Sequence, residues 1–242
     1  MSDQGIQWVD DPRAVEMTSA DPLNDTRLAW TGSLSLGTAG HDSSRLGAYS
    51  LVARRYAERG YLCQDLSTHI EGAVTICSAF QGACTVGTIA VRFDSAQDGL
   101  AADRVFPEEL AAMRASGASL CEFGRLALDH QVSDNKQLLA HLFHLAYLHA
   151  HRLAACDLLV IEVNPRHVPF YKRMLGFEAR SEARLNPRVQ APAVLMSLDL
   201  AHAREQIARL GGQPERVAET RSLYPCFYGE AEEAALLRKL RN

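Results

Sequence analysis

Apolar residues recur along this chain with two periods, and the switches between them mark alternating elements. Residues 46–59 (LGAYSLVARRYAER) place Leu46, Tyr49, Val52, Ala53 and Tyr56 at helical spacing, with Arg54, Arg55 and Arg59 mainly on the other side. Gly60 then predicts a helix end. Two runs rich in β-branched residues follow, 73–80 (AVTICSAF) and 84–93 (CTVGTIAVRF). Gln81-Gly82 sits between them, which predicts a hairpin. Residues 94–102 have no period and predict a loop. Residues 107–115 open on Pro107 and two glutamates, a helix start. A mostly apolar strand is expected at 119–128 (SLCEFGRLAL).

A helix is expected at about 135–153, capped by Ser133 or Asp134, with a stripe of Leu138, Leu139, Leu142, Leu145, Ala146 and Leu148. The continuous apolar run 157–163 (DLLVIEV) predicts a central strand. Residues 165–174 predict a short helix ended by Gly176, and Phe177 begins another extended segment. Residues 193–199 predict a last strand, and 200–210 and 230–241 carry helical patterns. Strands and helices alternate through the centre, which predicts an α/β fold: a mixed central sheet flanked by helices. Residues 1–45, rich in Ser, Thr, Gly, Asp and Pro, are expected to form a poorly ordered N-terminal arm. Residues 46–200 are then the main domain and 201–242 a C-terminal helical extension.

Composition changes this picture mainly through charge. Of 242 residues, 25 are Lys or Arg and 29 are Asp or Glu, for a net charge of −4. Residues 1–45 carry all of that excess, and the remainder is balanced. No strongly basic footprint points to nucleic acid. Only Lys136, Lys172 and Lys239 are lysines; the other basic residues are arginines, which suit planar anions. Residues 164–190 hold six bases (Arg166, Lys172, Arg173, Arg180, Arg184, Arg188) against Glu178 and Glu182. The six cysteines form no C-x-x-C pair, and several lie in apolar runs, so buried reduced thiols are expected. Nothing reads as a signal peptide or a membrane span, and a cytoplasmic location is expected.

Four histidines, His141, His144, His149 and His151, share one predicted helix, but no i, i+4 pair encloses a glutamate, so no metal site is expected. Cys121 lies in an apolar strand that favours an inert thiol. The most informative segment is CEFGRLALD (121–129). A carboxylate in so apolar a strand is costly unless it is paired, hydrogen-bonded or protonated. Glu122 is therefore either one half of a structural ion pair with Arg125 or a base with a raised pKa. Residues three apart in a strand point to opposite faces, so the two meet only across a bulge, which Gly124 would permit.

The segment NPRHVPFYKRMLGF resembles the end of the GNAT acyltransferase fold, in which two parallel strands splay apart around an acyl thioester. The GNAT pyrophosphate loop is replaced here by DHQVSDNKQLL (129–139), which has no glycine and carries Asp129 and Asp134. The order RRYAERGY (54–61), GTIAVRFDS (87–95), VFPEEL (105–110) and CEFGRLAL (121–128) is similar to acyl-homoserine-lactone synthases. Arg92, Glu122 and Arg125 match that family's arginine, glutamate and arginine, and its following acidic motif is represented only by Gln64-Asp65. The segments LCEFGRLALD, IEVNPRHVPFYKRMLGFE and NPRVQAPAVLMSLDL resemble the N-acyl amino acid synthase family, over about residues 46–200.

That resemblance implies a GNAT-like N-acyltransferase that moves a long-chain fatty acyl group from acyl carrier protein to the amine of an amino acid, with no metal or other cofactor. It implies Glu122 as general base, Arg125 and Arg92 as holders of the amino acid carboxylate or of Glu122, and Tyr171 as the group that protonates the leaving thiolate. Backbone N–H groups of Leu126, Ala127 and Leu128 would polarise the thioester carbonyl, and Asn164 and Phe170 would line the substrate site. An acidic carrier would dock on Arg54, Arg55, Arg59, Arg166, Lys172 and Arg173, and the acidic arm would compete with it for that surface. A lactone synthase using S-adenosylmethionine, a coenzyme A-dependent acetyltransferase and a non-catalytic acyl-binding module are the competing expectations.

Overall fold

The computed structural model describes residues 27–29, 34–40, 42–61, 73–132 and 135–241. The strands are β1 (Arg27–Ala29), β2 (Leu34–Thr38), β3 (Val74–Gln81), β4 (Cys84–Phe93), β5 (Leu120–Leu128), β6 (Leu158–Val163), β7 (Glu178–Ala179), β8 (Arg184–Asn186) and β9 (Ala191–Asp199). They form a sheet in the order β1-β2-β3-β4-β5-β6-β9-β7, with β8 paired on β9. Helices α1 (Asp42–Ala57), α2 (Pro107–Ala115), α3 (Asn135–Tyr147), α4 (Val168–Leu175), α5 (Leu200–Leu210), α6 (Val217–Thr220) and α7 (Glu230–Arg241) cover its two faces. The expected mixed α/β layer fold is therefore present.

The sheet alternates its side chains between two cores. Cys77, Ile89, Val91, Cys121 and Phe123 point toward α3, α4 and α5. On the other face Leu120 and Val160 meet Phe106 and Leu110, while Ala48 and Tyr49 of α1 cover Ile76. β4 packs closely against α3. A side chain at Gly87 would bring its Cβ to 2.8 Å from Leu142 Cδ1, so glycine lets the helix approach.

Two boundaries need correction. The expected arm covered residues 1–45, yet β2 lies within it and pairs with β3 from Leu34↔Gln81 to Thr38↔Cys77. Leu36 is fully buried. Polar, glycine-containing composition hid this strand because it is made by its neighbour's ladder rather than by its own period. Helix α1 also starts at Asp42, four residues before the expected position. Most of the expected arm lies outside the described residues, as do the caps Ser133 and Asp134 and the segment containing Gln64 and Asp65. A short 3-10 turn, Ala101–Arg104, also replaces the end of the expected loop 94–102.

The C-terminal extension is helical, as expected, but it is integral to the main core rather than an addition to it. Leu223, Tyr224, Phe227, Leu236 and Leu237 pack with α3 and α5. The helix histidines bind it there. His144 is fully buried; its Nδ1 accepts from the Tyr228 N–H at 3.0 Å. Its Nε2 must then carry the proton, which it donates to Glu233 at 3.2 Å. Arg152 holds the other Glu233 oxygen. His141 stacks on Tyr228 with centroids 4.1 Å apart. These side chains join two distant stretches of the chain.

Candidate active site

The site forms where β5 and β6 diverge. The two strands are parallel partners only from Leu120↔Leu158 to Glu122↔Val160. Beyond that, β5 stays with β4 and β6 turns with β9. The wedge between them opens into a cavity of about 580 Å³. One side of its wall is apolar, including Ile89, Phe123, Leu126, Leu139, Phe143 and Ile161. The other carries charge: Arg92, Glu122, Arg125, Glu162 and Arg188.

The expected bulge is present. Thr88 pairs with Ala127 and Ala90 with Gly124, so two β5 residues, Arg125 and Leu126, stand opposite Ile89. The left-handed residue is Arg125, at φ 51°, and not Gly124. The extra residue brings Arg125 to the face that carries Glu122. Its guanidinium lies over the Tyr49 ring, 5.5 Å from the centroid. Glu122 and Arg125 form no ion pair among the described residues. The Arg125 Nη1 is buried with no hydrogen-bond partner among those residues.

Glu122 stands opposite Arg92 in the β4–β5 ladder and is 5% exposed. Its Oε2 accepts from the Ala102 N–H at 3.1 Å. Burial pushes its pKa up, opposed by Arg188, by the N–H groups of Ala102 and Ala101 and by Arg92. Glu122 is thus held by backbone N–H groups and not by an ion pair with Arg125 among the described residues.

Tyr171, on α4, lines the cavity between Phe143, Phe170 and Phe177. Burial pushes its pKa up to about 12, so the phenol stays protonated. Asn164 also lines the cavity, and its Oδ1 caps the turn after β6 by accepting from the Arg166 N–H at 3.2 Å. Leu126, Leu128 and Phe170 are at the wall. Ala127 is not: its side chain packs under α1 against Leu51 and Val52. The register shift at the bulge turns it away.

The expected docking cations divide into two groups. Arg55 and Arg59 line the cavity mouth, Arg166 reaches Tyr61 Oη at 3.1 Å, and Lys172 and Arg173 are exposed on α4. Arg54, however, is bound to Asp129 at 2.7 Å. Among the six bases of residues 164–190, Arg184 is held by Glu109 and Arg188 by Glu162.

Asp129 sits where a GNAT fold would cradle phosphate. Its Oδ1 accepts from the Gln131 N–H at 3.0 Å. That bond, with Arg54, holds its carboxyl below the usual range. The Gln131 N–H is thus already taken by the protein's own anion.

Pattern analysis missed Glu162, Asn186 and Arg188. Asn186 Nδ2 donates to Glu162 Oε2 at 3.2 Å, and Arg188 binds the same oxygen. Glu162 could have been found, because the argument about a carboxylate in an apolar strand applies to LLVIEV as it does to Glu122. Its partners could not, because β8 is too short to carry a period.

Comparison with known proteins agrees with this geometry. The family model of the N-acyl amino acid synthase FeeM matches residues 47–199. The solved structure of FeeM, an N-acyl amino acid synthase from uncultured soil microbes, shares 30% identity with this chain. The match covers 71% of this chain and 93% of that one, with a TM-score of 0.64. The AHL synthase LasI is similar at 15% identity, over 70% of this chain and 91% of its own, with a TM-score of 0.52. An acyl-CoA N-acyltransferase from Pseudomonas aeruginosa is similar at 14% identity, over 68% and 97%, with a TM-score of 0.50. The last two share the fold. No curated protein sequence matches significantly.

Proposed function

This chain belongs to the N-acyl amino acid synthase family and is an N-acyltransferase, and we propose that it moves a long-chain fatty acyl group from acyl carrier protein to the amine of an amino acid. The two-sided cavity in the β5–β6 splay carries this reading. Its apolar wall suits an acyl chain, each buried methylene contributing about 0.8 kcal/mol. Its charged wall suits an amino acid.

The buried, open Nη1 of Arg125 is a donor for the acceptor's carboxylate, and a charged pair of this kind is planar and directional. The strained backbone at Arg125 is consistent with a residue placed for binding rather than for packing. Near pH 7 the acceptor arrives mostly as an ammonium ion and must lose a proton before it attacks. Glu122, with its proton affinity raised by burial, takes that proton directly or through water. From Phe123 onward β5 has no ladder partner on its β6 side. Backbone N–H groups of Leu126–Leu128 can then meet the developing oxyanion. Tyr171 offers its phenolic proton to the departing thiolate.

One observation speaks against coenzyme A and a second suits an acidic carrier. Asp129 places a carboxylate in the loop that follows β5 and holds both the Gln131 N–H and Arg54. The cavity mouth is basic: Arg166 and Arg59 both lower the pKa of His167 there, after burial. An acidic carrier would be drawn to that mouth, and its binding should weaken as salt rises.

The test is reconstitution with a long-chain acyl carrier protein or the matching acyl coenzyme A, read by mass spectrometry across the amino acids. N-acyl amino acid from the carrier-bound donor alone is the expected result. Equal turnover with acyl coenzyme A would overturn the donor assignment, and acylation of a non-amino-acid amine would overturn the acceptor. Lipids extracted from cells expressing the protein identify the natural acceptor.

A further inference from the structure

Glu162 has features that packing does not explain. Val160 stands beside Glu122 in the last ladder pair of β5 and β6. Two residues on, Glu162 projects from the same face, just past the point where the strands separate. The two carboxylates thus stand on the two sides of the splay and line one cavity. Arg188 and Asn186 both bind Glu162 Oε2. The other oxygen, Oε1, is shielded from water and has no partner among the described residues, while the side chain as a whole is 10% exposed. A buried acceptor of this kind is rare in native proteins unless it serves a ligand or a proton.

We propose that Glu162 is a second acid–base residue, and that it and Glu122 act as one carboxylate pair which takes the acceptor's proton at the open Oε1 of Glu162. This rests on the N-acyltransfer described above and adds a residue to it. The acceptor's ammonium gives one proton to the pair and becomes a neutral amine. Its nitrogen forms the N–C bond, the C–S bond breaks, and the thiolate takes the second proton, so one proton is released overall.

The charged groups that face Glu162 are Arg188, from the turn after β8, and Glu122, from β5; Arg92 of β4 lies beyond Glu122. Burial, with the like charge of Glu122, outweighs Arg188 and Asn186 and pushes the Glu162 pKa up to about 7. A group that ionises near the working pH is the most effective proton acceptor.

The experiment is the pH profile of kcat/KM for the parent and for Glu162→Gln. Glutamine can still accept from Arg188 and Asn186, so the local contacts survive. The expected result is a loss in kcat of about 10-fold or more, KM for the acyl donor within about threefold, and a downward move of the acidic limb. The limb moves down because the group that ionises near pH 7 is removed. Turnover within threefold of the parent, or a limb that stays in place, would overturn the proposal. A merely structural Glu162 lowers Tm without moving the limb.

A parent that forms no N-acyl product refutes the synthase reading instead. Carboxyl-labelled NMR then decides the pair without turnover. A signal absent from Glu162→Gln that titrates near neutral pH supports it, and one that ionises below pH 5 overturns it.

Discussion

Where α3 meets α7, buried His144 and Glu233 meet the half-buried Arg152, and both imidazole nitrogens and both carboxylate oxygens have partners. In the β5–β6 cleft, Glu162, Arg125 and Arg188 are also largely enclosed. Each of them keeps one buried atom, Oε1, Nη1 and Nε respectively, without a partner among the described residues. The first cluster is completed by the protein itself and fastens the C-terminal extension to the core. The second is left open, as expected of a site whose remaining partners arrive with the substrate. Burial of charge alone does not separate these two clusters; which of their buried atoms lack partners among the described residues does.

The sharpest way to break this comparison is to remove one member of each cluster and measure stability and turnover separately. Glu233→Ala leaves the His144 Nε2 proton and the half-buried Arg152 without their carboxylate, which should cost about 2 kcal/mol of stability. Denaturant melts should record that loss while turnover per folded molecule stays near the parent's. A proportional fall in turnover would show that α7 contributes to the site. Glu122→Gln should do the opposite. Its amide oxygen can still accept from Ala102, so Tm should hold, while turnover drops by roughly 10² or more. A folded variant with near-normal turnover would remove Glu122 from the mechanism.

Acid should act first on the anchored cluster. Burial lowers the pKa of His144 and takes that of His149 down to about 4. Both groups sit below their unfolded value of about 6.5, so protonation favours the unfolded chain. Their contribution is present above pH 6.5 and is lost as pH falls toward 4. For His149 the loss is on the order of 2 kcal/mol by pH 5. Melts from pH 7.5 to 5 should show stability falling, and less steeply for His149→Gln. A flat profile would mean that these imidazoles are not held neutral.

The smallest effect separates strain from binding at one residue. Arg125→Gly removes a side chain from a left-handed position and should raise stability by at most about 1 kcal/mol. The same change removes the open Nη1, so KM for the amino acid should rise about tenfold or more. A variant that is less stable and binds the amino acid normally would place Arg125 with the packing residues.

The succession of central elements was legible in the chain. Pro107–Ala115 is a helix with the bounds that its proline and glutamates implied, and β5 and β6 agree with their apolar runs to within a residue. These boundaries follow from local rules of period, capping and glycine punctuation, which act over a few residues. Glu122 was legible for the same reason, since the cost of a carboxylate in an apolar strand depends only on its neighbours. Glu162, in the apolar run LLVIEV, was open to the same argument. β2 and the C-terminal anchoring were hidden, because their stability comes from partners far along the chain.

By itself, the sequence determined that strands and helices alternate, that β5 and β6 are central, and that a buried glutamate and a nearby arginine lie on β5. Only the tertiary structure decided that a bulge at Arg125 turns the guanidinium to the face of Glu122, and that the strands separate just before Glu162. It alone set Arg188 against Glu162 and Arg54 against Asp129. The division has a physical cause. A side chain's face and burial follow from short-range periodicity, whereas the identity of its partner depends on ladder register and strand separation, which residues distant in the chain establish together.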